Sequence, residues 1–467
     1  MTKSPAGAGN QDRRRLFGMR LERNMTKEEL KARVCEVIRS RFADTRSLAD
    51  AIYAEPELGY KEVKTSAKVR AAFDHLGIGH RDGIAGTGVK ARLRGARPGR
   101  TVALLGELDA IICRSHPASD PVTGAAHCCG HNVQIANVLA VGAALQISGA
   151  MAHLAGDVVL FAVPAEEYVE IEWRRSLKEA GRLRFFSGKQ ELIARGAFDD
   201  IDLALMMHVN PTDRPEGDFQ VGASSNGYLA KLIEYRGRAA HAACAPDEGV
   251  NALNAAMLGV LGVNALRETF RESDVVRFHP IISSGGDLVN VIPDRVKMES
   301  YTRASNVEAL ERYNSAANRA LKAGAAALGA ECRIEDFHGC LPLRPDDGFR
   351  GILRENARRI FGAEGIYEGE HSAVSTDMGD VSHLMPVVHP WVGCVHGALH
   401  GSDYRVASEE VAYVKSPEVL AMTIIDLLWD DGAEADRICR GFRPVFTKES
   451  YLKFIDSLTS DSQEEGL

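Results

Sequence analysis

The stretch VVLFAVPAEE, residues 158–167, joins a continuous apolar run to two adjacent carboxylates, Glu166 and Glu167. Two further stretches have the same form, TVALLGELD at 101–109 and LALMMH at 203–208. Such apolar runs are typical of strands that are buried on both faces of a parallel or mixed sheet. Ligands bind at the carboxyl ends of strands in these sheets. The sequence therefore predicts an α/β fold in which acidic and imidazole side chains meet at one edge of a mixed sheet.

A second pattern follows between about residues 223 and 337. The spacing of apolar residues predicts two helices and four strands there, with helices at 248–267 and 306–327 and strands at 228–236, 278–288, 294–303 and 331–336. This βαββαβ order is that of ferredoxin-like α+β domains. Because motifs with reactive side chains resume after it, we predict that this smaller domain is inserted into the larger one.

Composition and charge exclude several classes of protein. The 467 residues carry a formal net charge of −8, which argues against a partner that is a nucleic acid. No apolar run approaches the roughly 18 residues that would span a bilayer, and the N-terminus lacks the apolar core of a secretory signal. Nine cysteines, an odd number, fit reduced thiols better than a disulfide framework. We therefore expect a cytoplasmic protein that does not bind membranes.

The motif HCCGHN, residues 127–132, places two thiols and two imidazoles next to one another. A redox thiol pair is one interpretation, but Cys128 and Cys129 lack the C-x-x-C spacing of thioredoxin-like sites. A structural zinc site needs a second pair of ligands, and a further alternative is a loop that caps a helix over 133–145. Together with Glu166, Glu167 and His208, however, the motif supplies the ligands and the free carboxylate that a two-metal hydrolase needs.

The motifs together resemble those of the M20 metallopeptidases, specifically the amidohydrolase branch of aminoacylases, hippurate hydrolases and aminobenzoyl-glutamate hydrolases. They occur in family order from about residue 40 to 430, and comprise PELGY at 56–60, GELDA at 106–110, HCCGHN at 127–132, PAEE at 164–167, MMHVNP at 206–211, AAHAA at 239–243, NVIPD at 290–294 and STDMGDVS at 375–382.

The resemblance implies two divalent metal ions, with zinc favoured and manganese, cobalt or nickel as alternatives. It assigns five metal ligands, of which the first bridges the two ions: Cys129, His131, Glu167, His208 and His400. His389 and His396 compete with His400 for the last position. Cys128 falls at a variable position and is expected to pack in the core.

The resemblance also implies a mechanism. A water held between two metals about 3.5 to 4 Å apart becomes a nucleophile near neutral pH, and Glu166 takes its proton and passes it to the departing amine. His241 is expected to stabilise the oxyanion from across a homodimer. Asn290 and Arg303 match positions that hold the substrate's carbonyl and carboxylate groups.

Two segments depart from the family pattern, and so does Asn132, which stands where many members have Asp. We hypothesise that the segments at 111–126 and 169–197 lie at the strand-end edge and shape the substrate mouth. The alternative is that they are solvated surface insertions.

The predicted organisation has four parts: a disordered tail at 1–25, a discontinuous metal-binding catalytic domain at 26–222 and 338–432, an inserted dimerisation or lid domain at 223–337, and a C-terminal extension at 433–467 that closes in disorder. The predicted function is metal-dependent hydrolysis of an N-acyl or aroyl amino acid of the aminobenzoyl-glutamate type. A dipeptidase or carboxypeptidase-like peptidase with the same site, a non-catalytic binder of small molecules and a thiol-based redox protein are the alternatives.

Overall fold

The structure, a computed structural model, describes residues 25–212, 218–458 and 460–462. Its α-helices are α1 Lys27–Ser40, α2 Phe42–Tyr53, α3 Val63–His75, α4 His131–Ile147, α5 Ile171–Glu179, α6 Gly188–Ala194, α7 Ala252–Leu266, α8 Val307–Leu328, α9 Asp347–Phe361, α10 Met378–Ser382, α11 Ser416–Leu428, α12 Ala433–Gly441 and α13 Lys448–Leu458.

The strands are β1 His80–Ile84, β2 Gly88–Arg94, β3 Arg97–Glu107, β4 Ile111–Ile112, β5 Ala125–Ala126, β6 Ala155–Val163, β7 Leu203–Met206, β8 His208–Pro211, β9 Phe219–Gln220, β10 Gly227–Arg236, β11 Arg277–Ser284, β12 Arg295–Ala304, β13 Glu331–Cys340, β14 Ile366–Tyr367, β15 Val387–Val388, β16 Trp391–His396, β17 Arg405–Val406 and β18 Ser460–Ser462. Of the predicted N-terminal tail, residues 1–24 lie outside the described residues.

The largest sheet is mixed and has the strand order β1-β2-β6-β3-β7-β15. Strands β6, β3, β7 and β15 run parallel, whereas β1 and β2 are antiparallel to their neighbours. Neighbouring residues of β3 face opposite cores, because Leu104 packs in one apolar cluster and Leu105 in another. The three predicted apolar strands fall within β3, β6 and β7, which confirms the predicted α/β class.

Strands β10 to β13 form a second sheet in which every pair is antiparallel, with the order β11-β12-β10-β13-β18. The chain order through this region is strand, helix, strand, strand, helix, strand, with α7 and α8 as the helices. Tyr235, Met298 and Leu321 are buried between this sheet and its helices. Strand β11 ends at Ser284, earlier than the predicted 288. The division of the chain into an inserted domain and an outer one stays a prediction.

A small third sheet holds His208 and Trp391 at the first positions of its strands β8 and β16. Strand β16 pairs in parallel with β8, so that Trp391 lies opposite His208. Strands β9, β14 and β17 complete this sheet. Within the described residues, no helix is both long and apolar enough to cross a membrane.

The expectation of disorder in the C-terminal extension is wrong for most of its length. Helices α12 and α13 occupy 433–441 and 448–458, and β18 pairs with β13. Tyr451, Ile455 and Leu458 share one face of α13 and are buried. This amphipathic spacing drives the helix onto the core beneath the mixed sheet, whereas residues 463–467 lie outside the described residues.

Candidate active site

The carboxyl ends of the mixed sheet gather most of the reactive side chains. Glu107 is the last residue of β3, Glu166 and Glu167 follow β6, and His208 begins β8, with one residue between it and the end of β7. Because β3, β6 and β7 are parallel neighbours, these four side chains meet at one edge. The predicted convergence of acidic and imidazole groups is therefore present.

The turn before α4 adds the thiol and a second imidazole. Cys129 precedes Gly130, whose φ of 86° lies in the left-handed region, and His131 begins the helix. A Cβ at Gly130 would lie 2.3 Å from a methyl group of Val209, so only glycine fits this turn. The turn thereby places Cys129 and His131 side by side at the sheet edge.

Two groups of potential metal ligands share Cys129. One group is Cys129, His131 and His208, and the other is Cys129, Glu167 and His400; within each, the ligand atoms lie within 4.8 Å of one another. Cys129 Sγ lies 3.4 Å from His208 Nε2 and 3.3 Å from His400 Nε2. The five residues are those that the family resemblance suggests as ligands.

The orientation of the imidazoles suits metal binding. His131 Nδ1 lies 2.9 Å from the carbonyl oxygen of Asp109, and His208 Nδ1 lies 3.0 Å from that of Val209. Because a carbonyl oxygen only accepts, each Nδ1 carries a proton, which leaves Nε2 as the nitrogen that can exchange its proton for a metal ion. These contacts fix the tautomer that a metal ligand needs.

Buried atoms without partners show that a cation fits here. His131 Nε2 and Glu167 Oε1, one from each ligand group, are buried without a well-directed hydrogen bond, although Glu107 Oε2 lies 3.0 Å from the first and His400 Nε2 lies 3.2 Å from the second. Burial opposes ionisation of the Cys129 thiol, but His208 and His131 lower its pKa to about 6. Orphaned acceptors and a thiolate are the donor set that binds zinc-like ions.

Glu166 differs from its neighbour Glu167. Burial raises the pKa of the Glu166 carboxyl well above its usual value, and the charges of Glu107 and Glu167 raise it further. Glu166 lines a cavity together with Cys129, but it belongs to neither of the two ligand groups that share Cys129. A carboxylate whose pKa is raised is a stronger base than an ordinary glutamate, which suits a proton acceptor.

A cavity of about 610 Å³ opens onto these residues. Aromatic rings form much of its wall, contributed by Tyr168, Tyr228, Tyr301 and Trp391. Arg303 lines the same cavity, stacks over the ring of Tyr228 and donates to Ser375 Oγ at 2.6 Å. The cavity therefore combines an apolar wall with one guanidinium that suits a carboxylate.

The other residues suggested from the sequence belong to neither of the two ligand groups. His241 and Asn290 are exposed on two adjoining loops of the second sheet, where Ala242 N–H donates to the carbonyl of Asn290, and neither lines the cavity. His389 lines the cavity and is buried beside His208, whereas His396 is exposed at the end of β16. Of the three late histidines, only His400 belongs to a ligand group with Cys129 among the described residues.

The charged segment 169–197 contains two buried cations, Arg174 and Lys189, that could not be recognised from the sequence. Arg174 is fully buried and donates to the carbonyl oxygens of Glu167 and Phe186, each at 2.7 Å. A Cβ at Gly59 would lie 2.5 Å from Arg174 Nη2, which explains the glycine in PELGY. The stretch 188–193 is also buried throughout, so the interpretation as a solvated insertion is wrong there. In the other segment, Ile111 lines the cavity.

Comparison with known proteins places the chain in a family. The model of peptidase family M20/M25/M40 matches residues 103–426. The mouse protein named Xaa-Arg dipeptidase is 29% identical over 430 residues, which cover 86% of this chain and 90% of that protein. N-acetylcysteine deacetylase of Bacillus subtilis is 25% identical over 353 residues, which cover 73% and 86%.

A solved structure from Bacillus subtilis, described as a dinuclear metal-binding peptidase from the M20 family, has the same fold. Its TM-score is 0.63 at 22% identity, with 84% of this chain and 99% of that chain covered. The match of the family model to more than half of the sequence shows that the chain belongs to peptidase family M20/M25/M40 and is a metal-dependent hydrolase of linear amide bonds.

Proposed function

We propose that the chain cleaves the amide bond joining an acyl or aroyl group to an amino acid with a free carboxylate, as in aminobenzoyl-glutamate. The observation that supports this most is one cavity that is lined by Cys129 and three of the other suggested ligands, by Glu166 and by Arg303. An aromatic wall suits an aroyl group, and the guanidinium suits the carboxylate of the amino acid.

In this proposal two divalent ions bind to the groups that share Cys129. His131 and His208 complete one site, and Glu167 and His400 complete the other. Zinc is the first choice because thiolate and imidazole ligands suit it, and manganese, cobalt or nickel are alternatives. When bound, the ions supply Lewis acidity, which polarises the amide carbonyl and lowers the pKa of a water molecule.

The protein's own groups carry out the remaining steps. Glu166 takes the proton of the attacking water and delivers it to the leaving nitrogen. Arg174 holds the backbone of Glu167 through the 2.7 Å hydrogen bond to its carbonyl, and this contact keeps the PAEE turn in place. Arg303 fixes the carboxylate end of the substrate, so that the scissile bond lies beside Glu166.

His241 and Asn290 enter the proposal through a second copy of the chain. Residues 223–337 form the inserted unit, and its outermost strand β11 and helix α7 expose the apolar side chains Ile281, Ile282, Met257 and Leu261. An exposed edge strand beside an apolar helix face is a surface that pairs with a copy of itself. In the homodimer, His241 of one copy would serve the cavity of the other as an oxyanion donor.

A dipeptidase is the second candidate, favoured by the similarity to the Xaa-Arg dipeptidase over 90% of that protein's length. The two candidates differ at the amino side of the scissile bond, because a dipeptide brings a charged ammonium where an acyl substrate has an apolar group. Turnover of matched pairs tests this, for example benzoyl-glutamate against phenylalanyl-glutamate. Faster hydrolysis of the dipeptide would favour the second candidate, and no hydrolysis of either after loading with divalent metals would contradict both.

A further inference from the structure

A third group of potential ligands lies beside the two that share Cys129. Glu107, His131 and Glu166 also place their ligand atoms within 4.8 Å of one another. His131 belongs to this group as well as to the Cys129 group, and its Nε2 lies 3.0 Å from Glu107 Oε2. An ion in the third group would therefore take His131 from its neighbour and occupy Glu166.

The buried ammonium of Lys189 lies on the far side of Glu107. Lys189 is fully buried on the short helix α6. Its Nζ lies 2.7 Å from Glu107 Oε1 and also donates to Asp377 Oδ1. One cation thus binds both carboxylates.

Other contacts hold this ion pair in place. Asp377 Oδ2 accepts from Ser187 Oγ at 2.6 Å and from the backbone N–H of Lys189 at 3.1 Å. On the other carboxylate, Glu107 Oε2 accepts from Gln134 Nε2 at 2.8 Å. Each oxygen of Glu107 therefore has a donor from the protein, and a metal ion would have to displace one of them.

We propose that Lys189 is a positioning residue that prevents Glu107 from binding a metal ion together with His131 and Glu166. This inference rests on the proposed function. With Lys189 present, its ammonium balances the negative charge of Glu107. His131 then serves the metal ion of the Cys129 group, and Glu166 stays free to accept the proton of the attacking water. Without Lys189, the buried carboxylates of Glu107 and Asp377 have no cation to balance their charge. A divalent metal ion would then supply the missing positive charge.

The test compares Lys189→Met with the wild type and with Lys231→Met. Lys231 is a matched control because it is also fully buried and binds a carboxylate, that of Asp336, but it lies in the second sheet. Metal-free proteins are titrated with Co²⁺, and bound cobalt is counted by elemental analysis after desalting. The absorbance of the thiolate-to-cobalt charge-transfer band is measured on the same samples.

We expect Lys189→Met to keep the wild-type cobalt count, and the charge-transfer absorbance per bound ion to fall by roughly half, because the ion that takes His131 is no longer bound to the Cys129 thiolate. Lys231→Met should match the wild type. The double variant Glu107→Gln/Lys189→Met should return to the wild-type spectrum, because the competing carboxylate is gone. If Lys189→Met does not fold, the same result is expected for Lys189→Gln, which keeps an amide donor without the charge.

Two results would overturn the inference in different ways. A folded Lys189→Met protein with the wild-type cobalt count and the wild-type spectrum would show that Lys189 is structural only, while leaving the proposed hydrolase intact. A wild-type protein that binds no cobalt would contradict the proposed metal site itself, and the role of Lys189 with it.

Discussion

His400 Nε2 lies 3.3 Å from Cys129 Sγ, although 271 positions separate the two residues in the chain. The backbone reinforces this contact, because His400 N–H donates to the carbonyl of Cys128 at 2.8 Å. His400 itself has a positive φ of 63°, a strained conformation for a residue with a side chain. The loop is thus held in a costly geometry that presents one imidazole to the shared thiol, which supports a functional role for His400.

Replacing Glu166 should separate proton transfer from metal binding. Glu166→Gln is expected to lower kcat by about 10² to 10⁴-fold, because the general base is lost, while the metal content stays at the wild-type level. Glu167→Gln is the matched comparison on the next residue and should lose metal as well as activity. Elemental analysis with steady-state kinetics checks both, and a Glu166→Gln enzyme with unchanged kcat would assign the base elsewhere.

Arg303 should act on substrate binding. Arg303→Met is expected to raise KM for a carboxylate-bearing substrate by about 10 to 100-fold, since a charge-assisted hydrogen bond contributes roughly 1.5–3 kcal/mol. Arg277, which pairs with Arg303 in the register of β11 and β12 but is exposed, provides the control. Equal effects of the two substitutions would argue against a carboxylate site at Arg303.

The C-terminal helix should be part of the stable core. Tyr451 is fully buried and donates to Asp380 Oδ1 at 2.8 Å. Tyr451→Phe should lower the free energy of unfolding by about 1 kcal/mol, and Tyr451→Ala by about 3 to 5 kcal/mol. Lys453→Ala, on the exposed face of the same helix, should have little effect. Denaturant titrations that rank the three differently would contradict this packing.

Burial makes His389 a source of acid sensitivity. It lowers the pKa of His389 to about 3, against about 6.5 in the unfolded chain. Between these values only the unfolded state binds the proton, so the free energy of unfolding falls as pH falls, by up to about 1.4 kcal/mol per pH unit. Above about pH 6.5, His389 is neutral in both the folded and the unfolded state, so it no longer lowers the free energy of unfolding.

The check compares thermal unfolding of metal-free wild type and His389→Phe between pH 7 and pH 5. Over this range, the melting temperature of the wild type should fall further than that of the variant. Exposed His75 supplies the control, because His75→Gln should follow the wild type. Parallel curves for His389→Phe and the wild type would mean that His389 takes up its proton in the folded state.

Local patterns predicted the fold where one stretch of sequence decides it. The strand in VVLFAVPAEE could be recognised from its continuous apolar run, and the first helix from Thr26, whose side chain forms a capping box with Glu29. The amphipathic spacing in α13 was present too, at Tyr451, Ile455 and Leu458, but the acidic residues that follow it favoured an interpretation of disorder.

The environment of Lys189 could not be predicted in this way. Its two carboxylate partners lie 82 and 188 positions away, and the surrounding segment is rich in charges that normally face water. The cluster around Cys129 was suggested by motifs, but its geometry depends on strands and loops from distant parts of the chain. The resemblance implied that Cys129 serves both ions, and the folded arrangement places its thiol in both ligand groups.

The central claim is that HCCGHN holds two metal ions through Cys129, and metal content tests it most directly. Elemental analysis of the wild type, Cys129→Ala and Cys128→Ala, each then assayed against N-acyl amino acids and aminobenzoyl-glutamate, provides the measurement. Cys128 is the matched control because it is buried next to Cys129 and packs in the apolar core.

We expect about two metals per chain in the wild type and in Cys128→Ala, with loss of both metal and hydrolysis in Cys129→Ala. A metal-free wild type after supplementation, or a Cys129→Ala protein with unchanged metal content and activity, would contradict the claim.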